Sequence, residues 1–405
     1  MERIKAKITP KVMEWTREKS GYSLEDAARK IGRSPEEIRA WETGELKPTL
    51  AQACLASKVY KRPLSVFFLP EPPKDFDTLR DFRTLPQGVP EEYSPELSFL
   101  IRRLQSRQQW LSEFLETEEY EPLDFIGSGS LSDTPIELAE KIRKKLGIET
   151  SKIISCRTRE EALQLWIGHV EENSIFVCQG GNLRWEKIHV EEARGFVLAD
   201  NYAPFIFINA QDAKAAQLFT LAHELVHLWI NEPGLSNREP IIRPTSDTER
   251  IEIFCNRVSA EMLVPENLFA KRWQVEHKEK PLLEKINSLS IYFKVSREVV
   301  ARKLLDQRII TQSKYLELVK VFRKELMDLK EREKKEREKR EGFPDPHRIK
   351  LMNNGIAFTR IILSAYKSGE ISGSETSGLL EIKLNFLPKV ARFVGLPFPR
   401  WGEAR

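Results

Sequence analysis

Between residues 9 and 60, apolar positions fall three and four residues apart in short runs, each broken by turn residues. That spacing predicts successive short helices. Ser23-Leu24-Glu25-Asp26 opens one with a pattern close to a capping box, and Gly32 closes it. Ser34-Pro35-Glu36-Glu37 opens the next with a cap residue, Pro at the first helical position and Glu at the third. Ala27, Ala28, Ile31, Ile38, Trp41, Leu50 and Leu55 are expected to supply the apolar faces. Beyond the apolar VFFLP and the proline-rich PEPPKDF, the segment PELSFLIRRLQSRQQWLSEFLE keeps a helical period until the loop GSGSLSDTP.

From residue 133 the pattern mixes two periods. ELAEKIRKKLGI and REEALQLWIGHVEE read as helices. SIFVCQ, GFVLAD and FIFIN are β-branched and aromatic runs bounded by turn residues, and they read as short strands. The stretch 322–341 interleaves Glu with Lys and Arg at helical spacing, which predicts a single solvated helix before GFPDP and an amphipathic tail. No repeat of solenoid period is visible. The punctuation gives four blocks: a domain at 1–70, a helical linker region at 71–132, a mixed domain at 133–310, and a charged helix with a helical tail at 311–405. The tail is expected to cap the mixed domain, with gripping a partner as the alternative.

Composition narrows the class. With 405 residues, 40% hydrophobic and 31% charged, the chain has material for two or three globular domains. Lys and Arg number 65 against 61 Asp and Glu, so any case for nucleic acid must be local. Residues 1–70 carry 14 Lys and Arg against 9 Asp and Glu, a local excess that favours phosphate contacts. The four cysteines lie far apart, which argues against a disulfide framework or a zinc ribbon. No apolar run has the length of a membrane span, and MERIKAKITPKVMEW lacks the apolar core of a signal peptide. A reduced, cytoplasmic protein is the expectation.

Two of the six histidines stand in His223-Glu224-Leu225-Val226-His227, inside DAKAAQLFTLAHELVHLWINEPG. Asp212 is the expected cap of this helix and Asn231-Glu232-Pro233-Gly234 its end. Histidines at i and i+4 share one face and can both reach one zinc ion, with Glu224 beside them as general base. Leu218, Leu221, Leu225, Leu228 and Trp229 make the helix a buried one, so its imidazoles need partners. A zinc peptidase requires a third ligand, and SDTERIEIFCNRVSAEMLVP offers Glu249, Glu252 and Glu261. Glu252 shares a face with Asn256 and Ser259 and is preferred. Glu249 is the reserve, and Glu261, on the opposite side, is expected to be structural. Cys255 is expected to pack between helices, and His277 lies near enough in sequence to reach the site.

These residues resemble the ImmA/IrrE family of zinc metallo-endopeptidases. PFIFINAQDAKAAQLFTLAHELVHL is similar to the family's strand and helix, and NRVSAEMLVP to its second helix, which puts the family's glutamate ligand on Glu252. ALQLWIGHVEENSIFV and ARGFVLAD also fit. Cys255 departs from the family, where a small Ala is commoner. The resemblance implies one Zn2+ per chain held by His223, His227 and Glu252, with Glu224 as catalytic base. It also implies a protein substrate, often a helix-turn-helix repressor, whose cleavage switches on a stress or mobile-element programme. The strand FIFIN would take substrate as an added strand, making Phe207 and Asn209 candidate contacts. Tyr202 is the candidate oxyanion donor.

The run from Ser23 to Pro70 resembles the Xre/Cro helix-turn-helix domain, with Gly32 at the turn and Trp41, Glu42, Gly44 and Pro48 ending the recognition helix. Arg33, Ser34, Arg39 and Lys47 are the candidate DNA contacts. Pro35, Glu36 and Glu37 stand where base-reading Gln, Arg or Asn would be expected. A module that docks another helix-turn-helix protein is therefore the competing reading. The fold class is multidomain and mainly α: an all-α helix-turn-helix domain, an α+β zincin-like metallopeptidase domain and a helical C-terminal region. The expected function is a fused zinc endopeptidase that cleaves a regulatory protein. The alternative is an antitoxin-type DNA-binding regulator whose peptidase domain is a surface for a partner, such as a cognate toxin. Operator DNA and dimerisation are further expectations, and membrane association is not.

Overall fold

The computed structural model describes residues 4–74, 80–81, 93–183, 186–232, 234–236, 246–275, 280–337 and 345–397. The chain divides into two compact units, one of Met1–Leu79, Leu85–Arg107 and Leu183–Ile188, the other of Arg80–Thr84, Gln108–Asn182 and His189–Arg405. The fold is multidomain and mainly α.

In the first unit, α1 (Pro10–Glu18), α2 (Leu24–Ile31), α3 (Pro35–Thr43) and α4 (Leu50–Tyr60) precede a 3-10 turn at Leu64–Phe68. The caps lie where local chemistry puts them. Ser23 Oγ accepts from the Asp26 N–H at 3.0 Å, and Ser34 Oγ from the Glu37 N–H at 3.2 Å. Gly32 closes α2 in the left-handed region, φ 71°. Ala27, Ala28, Ile31, Ile38 and Trp41 are buried, as the apolar spacing requires. Leu50 and Leu55 depart from expectation at 41% and 42% exposed, and α4 buries Ala53, Ala56 and Tyr60 instead. Two alanines let this helix approach its neighbours closely, and Tyr60 fills the remaining space against Phe67. Beneath the helices, Arg17 donates to both carboxylate oxygens of Glu42 at 2.8 and 3.1 Å and to the Tyr22 carbonyl at 2.9 Å.

Helix α5 (Pro95–Thr117) has its residues through Arg107 in the first unit and the rest in the second. The second unit continues with α6 (Pro135–Lys145), α7 (Thr150–Ser155), α8 (Arg159–Glu172), α9 (Lys214–Trp229) and α10 (Asp247–Leu263). It goes on through α11 (Glu266–Val275), α12 (Leu282–Tyr292), α13 (Arg297–Asp306) and the long α14 (Gln312–Arg337). Its last helices are α15 (Pro346–Asn354), α16 (Ile356–Ser368), α17 (Gly373–Leu380) and α18 (Leu387–Phe393).

One mixed sheet organises this unit: β1 (Arg80–Asp81), β2 (Phe176–Gly180), β3 (Gly195–Leu198), β4 (Phe205–Asn209) and β5 (Gly234–Ser236), in the order β1-β5-β3-β4-β2. β2 runs parallel to β4 with Phe176 opposite Phe205, and β3 antiparallel to β4 with Gly195 opposite Ile208. The three longer strands are buried along their whole length, which explains their continuous apolar sequence. Val177, Val197, Ile206 and Ile208 pack into the core with α8 and α9. On the alternate positions, Phe205 meets Phe358 edge-on at 5.6 Å, and Cys178 Sγ lies 3.4 Å from the Asn354 carbonyl. Helices α15 and α16 thus cover a sheet face. Gly355, φ 83°, permits their close approach: a Cβ there would lie 2.7 Å from the Val177 carbonyl oxygen.

Candidate metal centre

Helix α9 is buried through nearly its whole length, because Leu218, Leu221, Leu225, Leu228 and Trp229 face core on several sides. Its N-cap is Ala213, one residue later than expected; Asp212 instead accepts from the Ala213 N–H at 2.9 Å. Helix α10 starts from Ser246, whose Oγ accepts from the Glu249 N–H at 3.2 Å. Cys255, Val258 and Met262 belong to the core that both helices share.

Where α9 and α10 meet, the structure brings together the side chains of His223, His227 and Glu252, all buried. His227 Nε2 is 3.1 Å from His223 Nε2 and 3.1 Å from Glu252 Oε1, and His223 Nε2 is 3.3 Å from Glu252 Oε2. On the far side of its ring, His227 Nδ1 donates to the Glu232 carbonyl at 2.8 Å. That bond turns His227 Nε2 toward the Glu252 carboxylate. Burial opposes charge on both groups. Even so, the two imidazoles hold the Glu252 carboxyl well below its ordinary range. Contacts with Cys255 and Glu252 hold the His227 pKa well above the usual histidine value. A tetrahedral zinc with bonds of about 2.0–2.1 Å separates its ligand atoms by about 3.3 Å. The observed separations of 3.1–3.3 Å and the two-nitrogen, one-carboxylate donor set fit such an ion.

Glu224 is fully buried beside this cluster. Its position depends on Gly195, which the sequence reading did not single out. A Cβ at Gly195 would lie 2.3 Å from Thr220 Cγ2, 2.9 Å from the Phe207 carbonyl oxygen and 3.2 Å from Glu224 Oε1. Only a glycine lets β3 approach α9 this closely. The sequence signal was a single glycine opening the strand GFVLAD, and it is indistinguishable from an ordinary turn residue without the helix opposite.

Other candidates lie elsewhere. Glu261 contacts Lys303 Nζ and accepts from the Glu266 N–H at 2.7 Å, an architectural arrangement. Glu249 sits in the first turn of α10. Tyr202 is in the turn before β4, where its N–H donates to Asp200 Oδ1 at 2.8 Å. Phe207 is buried and stacked on Phe196 with centroids 5.0 Å apart. Asn209 is buried, donating to the Ala193 carbonyl at 2.8 Å and accepting from the Gln211 N–H at 3.0 Å. The expectation that FIFIN takes an added substrate strand is overturned, because β4 is paired by β3 on one edge and β2 on the other. Phe207 and Asn209 therefore do not offer substrate a free backbone edge. Cys255 is buried against His227, and burial pushes its thiol pKa up. His277 lies outside the described residues.

In the first unit, Arg33, Ser34, Arg39 and Lys47 are all exposed, on α3 and its flanks. Glu37 turns aside: it accepts from Gln52 Nε2 at 3.1 Å and lies 3.9 Å from Arg33. No helix among the described residues is long and apolar enough to cross a membrane.

Residues 179–305 match a peptidase family model described as the IrrE N-terminal-like domain, and residues 13–67 match the helix-turn-helix model. The first match starts at the end of β2, finishes within α13 and includes every residue of the buried cluster; ALQLWIGHVEEN lies before it. No curated protein matches the chain. In chain order, the protein thus carries a helix-turn-helix domain of Xre/Cro type and an IrrE N-terminal-like peptidase domain, the two families its sequence resembles.

Proposed function

We propose that this protein is a zinc-dependent endopeptidase that cleaves a regulatory protein, a helix-turn-helix repressor being the favoured substrate class. Its own helix-turn-helix domain would direct that activity to a stress, mobile-element or toxin-antitoxin programme. One observation carries the enzymatic reading: two imidazoles and a carboxylate converge in a buried cluster, next to the buried carboxylate of Glu224. His223, His227 and Glu252 would hold the ion, which when bound supplies a Lewis acid for the scissile carbonyl. Glu224 takes a proton from the attacking water and returns it to the leaving amine. Gly195 leaves room for that carboxylate beside β3, and the Glu232 carbonyl orients the His227 ring.

The intact base favours this reading over that of a partner-binding scaffold, which needs no carboxylate there. The experiment combines metal analysis with substrate capture. Purified protein should contain about one zinc per chain. Glu252→Ala should lose it and Glu249→Ala should keep it. Glu224→Gln should keep the metal, abolish proteolysis and retain an intact protein substrate identifiable by mass spectrometry. Metal-free wild-type protein, or full function in Glu224→Gln, would leave the regulator reading standing. Operator binding by the N-terminal domain is part of the same proposal, with Arg33, Ser34, Arg39 and Lys47 as its contacts. Retardation of its own upstream DNA unaffected by Arg33→Ala and Arg39→Ala would remove that part.

A further inference from the structure

The C-terminal helices repeat the spacing of the N-terminal ones. Ser23 caps α2 by accepting from the N–H three residues on, and Ser372 caps α17 in the same way. Both helices have eight residues. Each ends on a left-handed residue nine positions after its cap, Gly32 with φ 71° and Glu381 with φ 51°. Two linking residues follow in both. The next helix then starts at Pro35 in one case, and at Leu384 in the other, where a 3-10 turn (Leu384–Phe386) runs directly into α18.

The buried positions coincide as well. Ala27, Ile31, Ile38 and Trp41 correspond in register to Thr376, Leu380, Leu387 and Val390, and all eight are buried. The residue before the cap is buried in both, Tyr22 and Ile371. A helix precedes each pair, α1 and α16, and α16 packs against α17 and α18. Cap, helix length, left-handed turn and inward face together are what give a helix-turn-helix its shape.

The outward face of the C-terminal pair differs in charge from that of α2 and α3 at the matching positions. At the register positions of Ser34, Glu36, Ala40 and Thr43, the C-terminal pair carries Lys383, Asn385, Lys389 and Arg392, the latter four all exposed. From Ile382 to Pro397 the sequence holds three basic residues and no acidic one. Lys389 reaches Asp345 Oδ2 at 2.7 Å, while Lys383 and Arg392 have no ion-pair partner among the described residues. Phe386, beside them, meets His347 with ring centroids 4.3 Å apart. An exposed run of cations with one carboxamide complements phosphates flanking a base edge, since Asn pairs with adenine in the major groove.

We infer that residues 356–394 form a second helix-turn-helix unit whose exposed face, Lys383, Asn385, Lys389 and Arg392, contacts duplex DNA. This inference is independent of the peptidase reading and of DNA binding by the first unit.

The test uses the full chain and a fluorescein-labelled 30-base-pair duplex of mixed sequence, read by anisotropy across a salt series. A background of Arg33→Glu and Arg39→Glu silences the first unit. In that background the protein should still bind. Adding Lys383→Glu and Arg392→Glu should weaken binding roughly tenfold or more and flatten the log–log salt slope by about 1.8, two phosphate contacts at about 0.9 each. The milder Lys383→Gln with Arg392→Gln, at the same exposed positions, should show about half the loss. Lys144→Glu with Lys271→Glu, an equal change of net charge at exposed sites on α6 and α11, should leave affinity and slope unaltered. The inference is overturned if the background protein does not bind, if the Lys383 and Arg392 variants bind as it does, or if the control pair loses as much.

Discussion

His227 Nδ1 lies 2.8 Å from the carbonyl oxygen of Glu232, and the Glu232 N–H in turn donates to the His227 carbonyl at 3.0 Å. The turn that ends α9 therefore also orients a candidate ligand. It depends on Asn231, which holds φ 53° just beyond the helix. Asn231→Gly keeps that conformation without strain, whereas a β-branched residue resists it at a cost of about 1–3 kcal/mol. Asn231→Val should lower zinc affinity about 10–100-fold, the usual consequence of losing an outer-shell partner. Asn231→Gly should stay close to wild type. Competition with a chromophoric chelator measures both, and equal affinities would show that the turn does not orient the imidazole.

Gly195 supports a second prediction. A methyl group there would collide with Thr220 Cγ2 at 2.3 Å and crowd the Phe207 carbonyl, both parts of well-packed elements. Gly195→Ala should cost about 1–3 kcal/mol as an overpacking substitution. It should also reduce proteolysis more than global stability explains, because the same methyl lies 3.2 Å from Glu224 Oε1. Thr220→Ser removes the obstructing methyl while keeping the hydroxyl that donates to the Ala216 carbonyl at 2.9 Å. The double variant should recover part of the stability, read as the urea midpoint.

The buried Arg17–Glu42 pair yields a third. Arg17 makes two bonds to Glu42 and one to the Tyr22 carbonyl, so removing either charge strands the other in a low-dielectric core. Arg17→Ala or Glu42→Ala should each destabilise the helix-turn-helix unit by about 3–5 kcal/mol. Replacing both with apolar residues of similar volume should cost much less than either single change. Calorimetry on the three variants decides the point; single losses below about 1 kcal/mol would mean that water reaches the pair.

These features divide by how far along the chain their causes lie. Ser23, Gly32, Ser34 and the i, i+4 spacing of His223 and His227 act within a turn or two, so the sequence pattern exposes them. The preference for Glu252 over Glu261 also followed from helical phase, and the two do face different surroundings. Nonlocal pairing was hidden. Nothing in FIFIN states that both its edges are taken, and nothing in GFVLAD states that a helix lies against its glycine. Leu50 and Leu55 looked like core because they are large, but α4 turns Ala53, Ala56 and Tyr60 inward instead. The C-terminal unit escaped notice because Glu381 replaces Gly32 and Val390 replaces Trp41. Backbone conformation and burial repeat there while residue identity does not.

Glu171 gives the last prediction. Its carboxylate accepts from the Ala357 N–H at 3.3 Å, at the N-terminus of α16, and burial pushes its pKa up to about 7 from 4.5. The unfolded chain releases this proton near pH 4.5, the folded protein only near 7. Between those values the folded state binds more protons, so raising the pH removes stability. The full contribution, present below pH 4.5 and lost by about pH 7, is on the order of 3 kcal/mol. Glu171→Gln retains an oxygen acceptor without the charge and should flatten this part of the pH–stability curve. At pH 8 the variant should unfold at a temperature equal to or above that of wild type, whereas at pH 5 the two should be similar. A wild-type protein that gained stability between pH 5 and 7 through Glu171 would show instead that the carboxylate is stabilised in its ionised form by the end of α16.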